Sequence, residues 1–259
     1  MISFTEAQWT ATIAAFLWPL TRVLGLIAAA PVLGSAMVPA RVKLGLGVAV
    51  TFIIAPSLDL PAIAPWSAEG FATLALQFAI GTAIGFVMRL TFTAIEFAGE
   101  LMGLQTGLGF ATFFDPQSTA SVQVIAQFLG LLATLVFLAL NGHLVLLTVL
   151  MRSFDVLPVG AWPVSASVLQ VLVGAGAHVF FGGFMLALPV VATLLVVNLA
   201  LGVLTRASPQ LNLFSVGFPL TLLIGFSAMF LVLPHLGNAM IGMMEQGLGL
   251  ADQLFAPPR

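Results

Sequence analysis

The sequence predicts an all-α protein of the integral membrane type, built from long kinked helices and helical hairpins. Of its 259 residues, 61% are hydrophobic and only 6% are charged. Soluble domains carry about 25% charged residues, so seven basic and nine acidic side chains are too few to cover a globular surface. Long uncharged runs recur, and 15 prolines and 25 glycines interrupt them. Because the basic residues are scattered and the net charge is −2, binding to nucleic acid is not expected.

The N-terminal part of the chain contains four apolar runs that are candidate helices. A helix that spans a bilayer needs about 20 apolar residues. The first run contains Pro19, Arg22 and Pro31, which we expect to disturb it, and the second run is short. The third and fourth runs are long enough to span. The four runs cover residues 11–34, 44–58, 70–94 and 121–150.

Two longer apolar blocks follow, at residues 164–205 and 213–254, and a polar turn, RASPQLN at 206–212, separates them. As one helix the first block would extend about 63 Å, twice the hydrocarbon thickness of a bilayer. A residue before proline avoids the α region, so Pro209 should end the first helix, and Asn212 can cap the second. We therefore expect a hairpin of two long helices. Candidate kinks lie at Gly182, Gly183, Pro189, Pro219 and Pro234.

Three charged residues, Arg89, Glu96 and Glu100, lie close together in an apolar region. Their spacings of seven and four residues place all three on one face of a helix. Ionisable groups inside membrane segments are functional candidates, here as a polar stripe that lines a conduit or contacts partner subunits. Alternatively, a helix ends here and the charges reach water in the interface region. The sequence leaves both interpretations open.

No motif for catalysis, metal binding or a nucleotide cofactor is present in the sequence. Zinc-protease, EF-hand, phosphate-loop and nucleophile-elbow patterns are all absent. A proton relay is conceivable for His143, His178 and His235, but isolated histidines in apolar blocks are more often packing residues. There is no cysteine. We therefore expect a protein without enzymatic activity, cofactor or metal.

The stretch MGLQTGLGFATFFDPQ, residues 102–117, differs from its aliphatic surroundings. Gly103 and Gly107 have the small-xxx-small spacing of closely packed helices, and Gly109 adds conformational freedom. Bulky apolar groups beside these glycines can seal an aqueous passage, since apolar constrictions exclude water. They can instead pack in an ordinary core, and the composition alone favours that interpretation. The apolar and terminal residues of this stretch are Met102, Leu104, Leu108, Phe110, Phe113, Phe114, Asp115 and Pro116.

Three stretches resemble the FliR/SctT family of type III secretion export-gate subunits, in its flagellar branch. They are GELMGLQTGLGFATFFDPQ at 99–117, FLALNGHLVLL at 137–147 and RASPQLNLFSVGFPL at 206–220. Their order, their spacing and the length of the whole chain match those of the family.

The resemblance implies a noncatalytic core subunit of the flagellar export gate, in the bacterial inner membrane at the flagellar basal body. It further implies a single FliR-like domain over 1–259. Its first part, 1–160, would be similar to the P subunit of the gate (P-like), and the helical hairpin at 164–254, with its turn at 206–212, would be similar to the Q subunit (Q-like). Residues 102–116 would form the plug of the closed pore, through Met102, Gly103, Leu104, Gly107, Leu108, Gly109, Phe110, Phe113, Phe114, Asp115 and Pro116. At the hairpin turn, polar groups would satisfy helix ends, with Arg206, Pro209, Gln210 and Asn212 as the candidate residues.

The same resemblance implies the partners of the chain. These are FliP-like and FliQ-like subunits, which join it in a helical assembly, together with FlhB-like and FlhA-like proteins and unfolded flagellar export substrates. The alternative is a small secondary transporter with broken helices at a substrate site. Transporters of that kind carry corresponding interrupted helices in repeated halves, and no convincing internal repeat is present here. A scaffold without a conduit is a third interpretation.

Overall fold

A computed structural model describes residues 6–61, 63–108, 124–160, 166–208 and 216–254, and every regular element in these ranges is helical. By length and apolar composition five of these helices can cross a membrane, or six if one bent pair counts as a single span. The prediction of an all-α protein of the membrane type is thus confirmed.

The first helix, α1, covers Glu6–Ala29 and continues through Pro19 and Arg22, which do not break it. It ends earlier than the predicted run, because Ala30 precedes Pro31 and a residue before proline avoids the α region. Val32 then adopts a positive φ of 65°, an unusual value for a β-branched residue. The chain therefore turns sharply directly after α1.

The second helix, α2, covers Ala40–Ile54 and is followed by a short 3-10 turn at Ala55–Ser57. Pro39 precedes the helix with φ −58°, so the fixed proline backbone marks its start. The predicted run at 44–58 is therefore helical for most of its length, and the helix begins earlier than predicted.

The third helix, α3, covers Ala68–Thr106 and has 39 residues. Ser67 caps its start, since the Gly70 N–H donates a hydrogen bond to the Ser67 Oγ over 3.0 Å. Gly107 ends it with φ 88°, the left-handed conformation that glycine adopts readily after a helix. The predicted run at 70–94 was too short, because charged residues that lie on an exposed face do not end a helix.

The predicted run 121–150 is wrong as a single helix. The structure divides it into two helices, α4 at Val124–Ala139 and α5 at Gly142–Val156. Asn141 lies at the break with φ 54° and ψ 30°. Asparagine tolerates this left-handed conformation better than most residues, so the Asn-Gly pair supplies the turn.

The last two helices correspond to the two long apolar blocks. The sixth, α6, covers Ala166–Ala207, has 42 residues and ends directly before Ser208-Pro209, as predicted. The seventh, α7, covers Phe218–Gln253 and has 36 residues. Both helices continue through their internal prolines, Pro189 in α6 and Pro234 in α7.

The chain divides into two compact units. Unit 1 comprises Met1–Leu90, Asn141–Ala175 and Gln246–Arg259, and unit 2 comprises Thr91–Leu140 and Gly176–Glu245. The helix α3 contributes residues to both. The family resemblance implies a different division, into a P-like part at 1–160 and a Q-like part at 164–254. That division compares this chain with other gate subunits, and it stays a prediction.

In unit 1, α1 and α3 pack with their backbones in direct contact. A Cβ atom added to Gly85 would lie 2.6 Å from the Ala30 nitrogen, and one added to Gly81 would overlap the Arg22 carbonyl oxygen. Small residues at these positions let the helices approach this closely. The largest fully buried side chains of this unit are those of Trp18, Arg22, Leu26, Ile84, Met88, Leu146 and Leu150.

In unit 2, α6 and α7 form an antiparallel hairpin. A Cβ atom on Gly182 would lie 3.0 Å from Cε of Met243, and one on Gly225 would lie 3.5 Å from Cδ1 of Leu194. Early residues of α6 thus face late residues of α7. Fully or almost fully buried side chains of this unit include Ile95, Met102, Ile125, Leu129, Phe137, Ala187, Val190, Leu194, Leu236, Met240 and Met244.

Candidate functional site

The candidate plug segment begins inside the last turns of α3. Met102 and Gly103 are buried, whereas Leu104 is 58% exposed. Gly107 is buried and ends the helix, and its N–H donates to the Leu104 carbonyl over 3.2 Å. Leu108 is half-buried. The remaining plug candidates, Gly109, Phe110, Phe113, Phe114, Asp115 and Pro116, lie outside the described residues.

The last residue of α3, Thr106, is fixed against the first turns of α7 within unit 2. Its side chain is fully buried, and its Oγ1 donates to the Gly103 carbonyl over 2.9 Å. The Thr221 hydroxyl lies 3.3 Å from the Thr106 carbonyl oxygen and 3.0 Å from the Phe218 carbonyl oxygen, so it can donate to either. The start of the candidate plug is thereby held in place by side-chain contacts that the sequence alone did not indicate.

A cavity of about 350 Å³ lies beside this junction, also within unit 2. Its lining combines the end of α3 with the facing ends of the α6–α7 hairpin. Among the described residues, apolar, amide and hydroxyl groups reach it and no charged side chain does. The lining residues are Leu104, Gln105, Gly107, Asn198, Leu201, Gly202, Thr205, Gly217, Phe218 and Thr221.

The three charged residues predicted to form a stripe all lie on α3 and all are exposed. The helix does not end between Arg89 and Glu100 but continues to Thr106. Glu96 extends toward α4, where its Oε1 would lie 3.2 Å from a Cβ on Gly130. An exposed charged face therefore occurs well inside an apolar helix.

The hairpin turn is described only on its α6 side. Arg206 lies in the last turn of α6 and is exposed. The Ser208 N–H donates to the Leu204 carbonyl over 2.8 Å, so the last helical hydrogen bond is made by backbone. Pro209, Gln210 and Asn212 lie outside the described residues.

The three histidines lie on three different helices of the described chain. Within the described ranges, no group of three or more His, Asp or Glu side chains could hold a metal ion. His143 is half-buried in the first turn of α5, and His178 and His235 are exposed on the long hairpin helices.

The most highly organised polar cluster, around Arg22, was missed from the sequence. Arg22 is fully buried in unit 1, and its Nε donates to Oε1 of Gln77 over 2.7 Å. One terminal nitrogen donates to the Ser153 carbonyl over 2.8 Å, and the other donates to the Leu157 carbonyl over 2.8 Å. The guanidinium also lies 3.9 Å from the centre of the Phe154 ring.

This arrangement places a cation at the C-terminal end of α5, where free carbonyl groups and the helix dipole favour positive charge. The guanidinium therefore joins α1, α3 and α5. The sequence did contain a signal for this cluster, because Arg22 is a single charged residue inside an apolar run and such residues usually have a functional or structural role. It was interpreted only as a disturbance of the helix.

Comparison with known proteins gives one family. A family model described as bacterial export proteins, family 1, matches residues 13–247. The flagellar biosynthetic protein FliR of Escherichia coli (strain K12) is 45% identical over 234 residues, which cover 90% of this chain and 90% of that protein. FliR of Pectobacterium carotovorum subsp. carotovorum is also 45% identical, with the same coverage. FliR of Aquifex aeolicus (strain VF5) is 33% identical over 214 residues, 82% of this chain and 83% of that protein. The chain therefore belongs to the bacterial export proteins of family 1, the family of the flagellar biosynthetic protein FliR.

Proposed function

We propose that this chain is a noncatalytic core subunit of the flagellar protein export gate, and that residues 102–116 plug its pore when the gate is closed. Membership of the FliR family makes the chain a component of flagellar protein export, and its apolar helices together with that family support a position in the inner membrane. The pore and the plug are the proposed refinement.

The observation that carries the plug is the junction at the end of α3. A helix of 39 residues stops at Gly107, and the next residues of the sequence are Leu108, Gly109 and Phe110. The residue before the stop, Thr106, is fully buried. A segment that closes and reopens a pore needs a fixed attachment point and, beyond it, residues that can change backbone conformation. The buried Thr106 supports the first requirement, and the glycines at 107 and 109 support the second.

The length of the hairpin supports a place inside a larger assembly. With 42 residues, α6 extends about 63 Å, which exceeds the hydrocarbon layer about twofold. Many large apolar side chains of both hairpin helices are exposed in the isolated chain, among them Phe180, Phe230 and Leu231. We propose that FliP-like and FliQ-like subunits cover part of this surface, and that FlhB-like and FlhA-like proteins and unfolded flagellar subunits meet the chain at the gate.

The charged face of α3 is assigned to the same assembly. We propose that Arg89, Glu96 and Glu100 contact other subunits, because they are exposed within an apolar helix and do not lie at its end. At the hairpin turn, the proposal is that Arg206, Pro209, Gln210 and Asn212 connect the two helices and satisfy their ends.

Deletion of residues 109–115 in cells that express the complete gate tests the plug. The expected result is a membrane that leaks ions and small solutes while the complex still assembles, because the passage loses its seal. Leakage is measured with a membrane-potential dye, and assembly is measured by co-purification of the partner subunits. An assembled complex whose ion permeability equals that of the parent would contradict the plug.

A further inference from the structure

Gly225 on α7 forms a notch that the Thr106 side chain fills. A Cβ atom added to Gly225 would lie 2.5 Å from Cγ2 of Thr106, which is closer than two carbon atoms can stand. The remaining neighbours of this added atom are at ordinary contact distances, 3.4 Å for the Thr106 Cβ and 3.5 Å for the Leu194 Cδ1. The Thr106 methyl group thus occupies the space that Gly225 leaves open.

The notch lies directly before the point where the chain leaves α3. The Thr106 carbonyl faces the Thr221 hydroxyl one turn before Gly225 on the same helix, so backbone and side chain are both held. Gly107 follows at once with its left-handed backbone. A displacement of Thr106 would therefore move the origin of every residue that comes after it.

We propose that the Thr106 methyl group, seated in the Gly225 notch, positions the plug segment in the closed pore. This inference rests on the proposed function, because it assigns the residues that set where the plug begins. Thr106 and Gly225 are positioning residues that act through the segment that follows. Packed contacts of this kind have discrete seated and unseated arrangements and do not deform continuously.

The test is an exchange of one methyl group between the two helices, made in the full chain within the complete gate. Gly225→Ala adds the methyl, and we expect ion leakage to rise about fivefold or more, since overpacking disfavours the seated state by at least that factor. Thr106→Ser removes Cγ2 but keeps the hydroxyl that donates to Gly103. The double variant moves the methyl from one side of the contact to the other and should return leakage to the parental value.

Gly237→Ala is the matched control. Gly237 lies on the same helix, but an added Cβ would have no atom within 4 Å, so this change carries only the helix-propensity effect. We expect no leakage from it. Leakage that persists unchanged in the double variant, or equal leakage from both alanine variants, would overturn the proposed seat.

A disulfide between positions 106 and 225 provides a second test, which is needed if Gly225→Ala lowers the level of the protein in the cell. The sequence has no cysteine, and the 3.4 Å between the Thr106 Cβ and a Cβ at position 225 is close to disulfide geometry. In the variant with Thr106→Cys and Gly225→Cys, oxidation of membrane vesicles should join the two residues and suppress leakage, and reduction should restore it. The proposed positioning by Thr106 and Gly225 would be contradicted if the two cysteines did not cross-link, or if leakage were the same in the oxidised and reduced states.

The deletion of residues 109–115 separates the two proposals. If that deletion does not leak, the plug itself is wrong. If the deletion leaks but the exchange of the methyl group has no effect, the plug stands and its positioning by Thr106 and Gly225 is wrong.

Discussion

The Nε of Arg22 in α1 donates a hydrogen bond to Oε1 of Gln77 in α3 over 2.7 Å, and both side chains are fully buried. The same guanidinium reaches the last carbonyls of α5 through its two terminal nitrogens. Its charge is thus balanced by neutral acceptors and by the end of a helix. Within unit 1, α3 and the C-terminal end of α5 together supply the groups that solvate this cation.

Replacing Arg22 with methionine should lower the free energy of unfolding by about 3 kcal/mol. The substitution keeps most of the volume but removes the donor to the buried Oε1 of Gln77 and to the half-buried Leu157 carbonyl, while the Ser153 carbonyl keeps only the bond from the Leu157 N–H. Arg22→Lys should recover only part of the loss, since an ammonium group cannot reproduce the planar fork. The measurement is the unfolding midpoint of the purified chain in a detergent titration.

Arg152 provides the control for this prediction. It pairs with Asp252 over 3.2 Å, but both side chains are about half or more exposed, at 65% and 47%. Exposed ion pairs contribute about 1 kcal/mol or less, so Arg152→Met should change the midpoint much less than Arg22→Met. Equal effects of the two methionine variants would mean that the Arg22 cluster does not organise unit 1.

Gly99→Ala should destabilise unit 2 by about 2 kcal/mol, because the helices must separate to accept the methyl group. The added Cβ would lie 2.5 Å from Cα of Ala126, a backbone atom of α4 that cannot rotate away. The change is measured as a lower unfolding midpoint of the purified chain.

Gly130→Ala, on α4 itself, is the matched comparison. Its added Cβ would first meet Oε1 of Glu96 at 3.2 Å, the far end of a flexible side chain. Alanine is also favoured over glycine inside a helix by up to about 1 kcal/mol, so this variant should be neutral or slightly more stable. The prediction fails if Gly130→Ala is as destabilising as Gly99→Ala.

On the proposed assignment of Glu100 to the subunit contacts, Glu100→Leu should reduce co-purification of the proposed FliP-like and FliQ-like partners by about tenfold or more, because the polar group opposite it would lose its carboxylate. Glu100→Gln keeps the shape and one acceptor and should have a smaller effect. Glu69→Leu is the control, since Glu69 is an exposed carboxylate in the first turn of the same helix. Unchanged yields in all three variants would remove Glu100 from the subunit contacts.

Much of the fold was predictable where it depends on local rules. The end of α6 at Ala207 follows from Ser208-Pro209, and the hairpin follows from the two apolar blocks on either side. The break at Asn141 was also available in the Asn-Gly pair, a common turn signal, but the clean apolar composition on both sides outweighed it.

The candidate site was less predictable, because its contacts join distant parts of the chain. Nothing near Thr106 in the sequence indicates that Gly225 accommodates its methyl group. Arg22 similarly has its acceptors 55, 131 and 135 residues away. A glycine notch and a neutral shell of acceptors leave no local pattern, so only the packed structure reveals them.

The position of Arg22 has a consequence for how the chain is made. A central arginine raises the cost of inserting an isolated helix by about 2.5–3.5 kcal/mol, and α1 leaves the ribosome before α3 and α5. Its last acceptor, the Leu157 carbonyl, is synthesised 135 residues later. The Arg22 side chain of α1 therefore lacks its full set of acceptors until α5 has been synthesised. The packing of α1 in unit 1 is completed only at that late stage of biosynthesis.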